Sequence, residues 1–172
     1  MDYNNSKIIY SHHSAVVVLH EISSDSLVLT KRNEQLRSHP GQISFPGGLC
    51  EEHDQSFYDT ALRELYEELG ISRDRVELVT ELKVEKTLAG IMIHPWFSHI
   101  ESIHPYQLNL KEVSSILLTP MNLVTDLDNY REITLVRDGI RFKSCEFIPD
   151  NGIIWGATAR IMKQLAMNLT VK

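Results

Sequence analysis

The feature that most restricts this 172-residue chain is a single helical stripe that ends in a hard stop. Phe57, Tyr58, Ala61, Leu62, Leu65 and Leu69 recur at three- and four-residue intervals, and Gly70 stands where a helix needs a left-handed terminator. The spacing predicts a helix over 54–69. At about 100° per residue, Glu64, Glu67 and Glu68 fall within an arc of about 100°, apart from the stripe of Leu62, Leu65 and Leu69. Three carboxylates therefore share one side. Glu64 and Glu68 are an i,i+4 like-charge pair, which costs roughly 0.2–0.5 kcal/mol in an isolated helix, so a positive partner is expected nearby. Arg63 is placed to pair with Glu67 and orient it. Such a face is either a solvated acidic surface or a set of hard oxygen ligands for Mg²⁺ or Mn²⁺, which leave room for water and phosphate oxygens.

The rest of the chain is rich in strands. Two β-branched runs, 14–20 and 26–31, flank a polar turn and predict a hairpin. Pro40-Gly41 and Pro46-Gly47-Gly48 break the segment 33–46, which reads as an ordered loop around a short strand at 42–45. Further strands are expected at 76–83, 91–100, 113–118, 132–136 and 140–148, then a closing helix over 155–169. Trp155, Ile161, Met162 and Leu165 read as the core face of that helix. No repeat and no Pro/Gly/Ser-rich linker divides the chain. Strands, one helix, more strands and a terminal helix favour an α+β architecture with a mixed sheet between helices over a parallel doubly wound one.

Composition narrows the function classes. The chain is 42% hydrophobic and 23% charged, as expected of one ordinary globular domain. Its net charge of −6 argues against a broad nucleic-acid-binding surface, which needs a basic excess to displace counterions. Cys50 and Cys145 read as free thiols in a reducing compartment, neither of them a strong nucleophile. The amino terminus lacks the basic start and apolar core of a secretory signal, and no apolar run approaches the ~20 residues that span a bilayer. A cytoplasmic protein without membrane insertion is expected. His12, His13, His20, His53, His94, His99 and His104 show no zinc-ligand spacing of the His-Glu-x-x-His kind and read as structural or solvated.

The segment from Gly48 to Ile71, GLCEEHDQSFYDTALRELYEELGI, resembles the Nudix box, and its last nine residues match the box completely. The resemblance implies a Nudix-like α/β/α sandwich, with Glu64, Glu67 and Glu68 as metal-binding glutamates and the backbone carbonyl near Gly48 completing the site. Asp54 stands where the box has its first Glu, and eight rather than seven residues separate it from Arg63. Upstream, LTKRNEQLRSHPGQISFPGG (Leu29 to Gly48) resembles the signature of the coenzyme A pyrophosphatase branch, which often shows that same acid and spacing. Leu29, Thr30, Arg32, Arg37, Gly41 and Phe45 to Gly48 fall at the branch's positions, while Asn33 replaces the usual Ser or Ala. The likeness runs on through Pro95 and Glu112-Val113 to the segment from Ile154 to Ala159. It leaves 1–10 as an N-terminal extension to a single domain over 11–172.

The resemblance implies metal-dependent hydrolysis of coenzyme A or its thioesters to 3′,5′-ADP and (acyl-)4′-phosphopantetheine. Arg32, Arg37, His39 and Gln42 are then the residues expected at the substrate, because guanidinium groups bind phosphate oxygens in a bidentate, charge-assisted way. Glu67 or Glu112 would accept the proton of the attacking water, with Arg63 beside them. The expected partner is a small nucleotide-type molecule, and monomer or homodimer stays open. Two rivals remain: a Nudix enzyme acting on a nucleoside triphosphate, ADP-ribose or a dinucleotide, and a noncatalytic nucleotide-binding module. The intact acidic triad speaks against the second.

Overall fold

The computed structural model describes residues 12–150 and 153–170; the extension expected at 1–10 lies outside the described residues. Strand β1 (His13–Glu21) is the centre of the main sheet because its side chains are apolar on both faces. Ala15, Val17 and Leu19 point to one side and Val16 and Val18 to the other, the period of two that a pleated strand imposes. Its C-terminal half pairs antiparallel with β2 (Ser26–Arg32), the predicted hairpin. Its N-terminal half pairs instead with β4 (Gly47–Leu49), while the far end of β2 takes β3 (Ile43–Ser44). The loop after β2 thus wedges the two long strands apart and folds back over β1.

On its other edge β1 runs parallel to β7 (Met92–Ile100), and β5 (Glu77–Glu81) and β6 (Glu85–Lys86) pair antiparallel with β7. Strand β8 (Val113–Pro120) closes the opposite side against β2. The eight-stranded sheet is therefore mixed. Helix α1 (Phe57–Leu69) buries Ala61, Leu62, Leu65 and Leu69 on one face of it, against Ala15, Val17, Leu19 and Val28. The other face carries α2 (Met121–Thr125) and α3 (Gly156–Thr170), whose Ile161, Met162 and Leu165 pack on Val18, Leu27 and Leu29. The mixed sheet lies between helices, as expected. The strands expected at 132–136 and 140–148 leave it to form a separate sheet, β11 (Ile154–Trp155), β10 (Ile140–Phe147) and β9 (Tyr130–Arg137).

Two expectations are corrected. Helix α1 begins at Phe57, not at residue 54, because Ser56 caps it: its hydroxyl accepts the amide of Asp59 at 3.0 Å. Asp54 stays in the preceding turn, accepting the amide of Glu51 at 2.9 Å. Trp155 is not in the core of the closing helix but on β11, 42% exposed. On a two-residue strand only Ile154 faces inward, and the alternation turns Trp155 outward. The elements not foreseen, β4, β6, α2 and β11, are too short to print a period.

Gly47 marks the point where the returning loop touches β1. A Cβ there would lie 2.3 Å from the Ala15 carbonyl oxygen and 2.7 Å from Val16 Cα, both backbone atoms that cannot step aside. Gly47→Ala is expected to destabilise the fold by about 2–3 kcal/mol, read as a lower urea midpoint at unchanged slope. A midpoint within error of wild type would show that the loop is not seated as described.

Candidate functional site

The acidic face of α1 is graded in depth. Glu68 is buried at 3% exposure, the Glu64 side chain is 13% exposed, and Glu67 is 48% exposed at the solvent edge. Glu112 joins them from the loop before β8, which is stapled to the end of the helix: the amides of Gln107 and Asn109 donate to the carbonyls of Leu69 and Glu68 at 2.8 and 2.9 Å. Asn109 also donates to the Glu112 carboxylate at 3.0 Å, and the Asn33 amide donates to the Glu112 carbonyl at 2.8 Å. Carboxylate oxygens of Glu64, Glu68 and Glu112 lie within 4.8 Å of one another, with Glu67 outside this group.

Arg63 answers the need for a positive partner. Its Nε and Nη2 grip Asp54 in a bidentate pair at 2.9 and 3.0 Å. Nη1 donates to Glu64 at 3.0 Å and to Glu67 at 3.1 Å, and Nη2 also reaches the Leu49 carbonyl at 3.1 Å. All five N–H donors are engaged within the protein. Burial alone would raise the Asp54 carboxyl, but the Arg63 fork, the Glu51 amide and the Thr60 hydroxyl hold it down at about 2. The guanidinium is raised in turn, chiefly by its bonds to Asp54. Thr60 is buried and donates to Asp54 at 2.8 Å, a support that helical periodicity alone does not mark.

Burial pushes the Glu68 carboxyl up to about 8, reinforced by Glu64 and Glu112 and opposed by Arg32 and the Gly47 amide. Burial likewise raises Glu64, against the pull of Arg63. Oε2 of Glu68 has no hydrogen-bond partner. Gly48 lies so close to Glu64 that a Cβ would stand 2.3 Å from its Oε1. An all-oxygen group, a buried carboxylate oxygen without a donor, and carboxylates crowded together fit a divalent cation.

The four residues expected at a substrate share one segment but part company. Arg32 is half-buried at the end of β2, its Nε buried without a partner and its charge felt by Glu68. Arg37 is exposed, and no hydrogen bond or ion pair holds it among the described residues. His39, in a left-handed conformation (φ 54°), and Gln42 line a cavity of about 350 Å³. Trp155 lines the same cavity. Gln42 ties both ends together, its carbonyl accepting the Arg32 amide at 2.9 Å.

A family model for the NUDIX domain matches residues 11–129. The uncharacterized Nudix hydrolase NudL of Yersinia pestis (strain Pestoides F) is 32% identical over 146 residues, 85% of this chain and 73% of that protein. The chain belongs to the Nudix hydrolase family. Among solved structures, a Nudix hydrolase from Nitrosomonas europaea matches with a TM-score of 0.58 at 14% identity, over 90% of this chain and 70% of that one. A C. elegans Ap4A hydrolase matches with a TM-score of 0.55 at 15% identity, over 63% of this chain and 80% of that one. These two likenesses concern the fold. Nudix hydrolases generally depend on a divalent metal and act on small nucleotide-type substrates. Among the described residues no helix is long and apolar enough to cross a membrane.

Proposed function

We propose that this Nudix hydrolase cleaves the pyrophosphate of coenzyme A or its thioesters to 3′,5′-ADP and (acyl-)4′-phosphopantetheine, as a cytoplasmic enzyme. The observation that carries this reading is the segment 29–48, whose likeness to the coenzyme A pyrophosphatase signature runs from Arg32 beside Glu68 to Gly48 against Glu64. Glu64, Glu68 and Glu112 would hold Mg²⁺ or Mn²⁺, with the backbone at Gly48 alongside. When bound, such a metal neutralises pyrophosphate charge and acidifies the attacking water. Glu67, outside the group of three and bonded through Oε2 to Arg63, would take that water's proton. Arg63 is a positioning residue: it fixes Glu64 and Glu67 and touches no substrate. Arg32 offers charge next to the scissile group, and Arg37, without an ion pair among the described residues, offers a cation for a further phosphate.

A substrate panel tests the reading: coenzyme A, an acyl-coenzyme A, NADH, ADP-ribose and dGTP with Mg²⁺ or Mn²⁺, products separated. The highest kcat/KM is expected for the coenzyme A compounds. Arg37→Ala should cost about 1.5–3 kcal/mol, roughly tenfold or more in kcat/KM, on coenzyme A and less on substrates without a 3′-phosphate. Preference for dGTP or ADP-ribose would overturn the substrate while leaving the Nudix chemistry. Equal damage to all substrates would assign Arg37 to the scissile group or to the loop.

A further inference from the structure

Arg160, Thr158, Thr87 and Ser144, which line the cavity behind His39 and Gln42, are engaged within the protein, while the side chains of His39, Gln42 and Ser44 make no hydrogen bond among the described residues. The cavity's guanidinium, Arg160, is charge-paired and held from three sides: Nε pairs with Glu85 at 2.9 Å, Nη1 donates to Ser144 at 3.3 Å, and Nη2 donates to the Lys86 carbonyl at 3.3 Å. The Thr158 hydroxyl donates to the Ile43 carbonyl at 3.4 Å, and the Thr87 hydroxyl accepts the Ile91 amide at 3.0 Å. What remains to meet a ligand is mostly hydrocarbon, from Ile43, Leu88, Ile91, Ile93 and Trp155. Leu88 and Trp155 are 48% and 42% exposed, large apolar groups left open to water at the wall of a cavity. At about 350 Å³ it is of small-molecule size.

Resting on the reading of a coenzyme A substrate, we infer that this cavity receives the acyl-pantetheine end and sets a preference for longer acyl chains. The charge distribution decides which end enters. A 3′-phosphate needs an uncompensated cation, and among the described residues the cavity wall has none, whereas Arg37 is exposed without an ion pair on the loop that leads into it. An adenine edge needs open donors and acceptors on the surfaces it lies against, and among the described lining residues the side chains without a hydrogen bond, His39, Gln42 and Ser44, all sit on the one loop, facing walls of hydrocarbon. A thioester chain needs only apolar surface. The loop supplies the path: His39, Gln42, Ile43 and Ser44 line the cavity, and Gly48, four residues beyond Ser44, abuts Glu64 at the carboxylate group.

The test compares coenzyme A with its acetyl, hexanoyl and decanoyl thioesters, using the full chain with Mg²⁺ and measuring kcat/KM. In wild type the value should climb by at least about tenfold from acetyl to hexanoyl, within a ceiling of about fourfold per methylene. Leu88→Asp and Trp155→Ser, both at exposed positions, should each lower the decanoyl-to-free coenzyme A ratio about tenfold or more. A flat wild-type profile with coenzyme A still cleaved overturns the acyl site alone. Variants that depress coenzyme A, its esters and ADP-ribose alike overturn it too, and give the cavity to the adenosine half. If no coenzyme A compound is cleaved, the substrate reading fails. The cavity then stands if S-hexanoyl-pantetheine shifts the tryptophan emission of wild type but not of Trp155→Phe, and falls if it does not.

Discussion

Glu68→Gln is expected to lower kcat by at least about two orders of magnitude while the chain stays folded. The substitution keeps volume and removes the charge of the most deeply buried carboxylate of the Glu64, Glu68, Glu112 group. A buried unpaired carboxylate is costly, so the loss of charge should not harm the metal-free fold and should help it in alkali. The sign follows from the raised carboxyl. Because the folded protein holds this proton up to about pH 8, the contribution of Glu68 to metal-free stability is fully present below the ordinary glutamate range and is lost as pH rises through 8. A side-chain amide at this position cannot titrate, so the variant should unfold at a higher denaturant concentration than wild type at pH 8 without metal. A cation must expel the proton to bind, so wild-type metal affinity should tighten by up to about tenfold per pH unit below pH 8 through Glu68, and the variant should show a shallower slope, left with the raised Glu64. EDTA should abolish wild-type activity without unfolding the chain. Near-normal turnover in a folded Glu68→Gln protein would remove the basis for placing metal here.

How much of the fold and site is legible in the sequence depends on range. Helix α1, its apolar face and its Gly70 stop repeat often enough to be read directly, and β1 and β2 show their β-branched runs. The helical wheel puts Glu64, Glu67 and Glu68 on one arc but does not separate their three depths. Depth comes from what lies opposite: Gly47 and Gly48 of β4 cover Glu64 and Glu68, while Glu67 lies at the solvent edge. No local period announces that Glu112 enters the group, because Asn109 and Asn33 bring it there by backbone bonds between distant segments. Only the family resemblance marks it. Trp155 reads as core because an apolar residue before a helix resembles its first core position. A two-residue strand gives no pattern to say otherwise.

Arg63→Ala is expected to cost about 3 kcal/mol of stability at neutral pH, far more than the loss of an ordinary surface ion pair. Asp54 is 4% exposed at the side chain, and without the Arg63 fork it becomes a buried carboxylate with only an amide and the Thr60 hydroxyl to hold it. The pH profile separates this mechanism from simple lost packing. A carboxyl held at about 2 contributes stability that is present above its unfolded value near 3.8 and disappears as pH falls through 2. The gap between wild type and Arg63→Ala should therefore be widest at neutral pH and narrow as pH drops from about 4 toward 2. Asp54→Asn should remove much of the same stability, and adding Arg63→Ala to it should cost much less than Arg63→Ala alone, because the charge that needed the guanidinium is gone. Arg63→Lys should recover only part, since one ammonium cannot fork onto Asp54 while also holding Glu64 and Glu67. Additive costs in the double variant, or a gap that does not change with pH, would show that Arg63 contributes packing and not the charge that fixes the acidic face of α1.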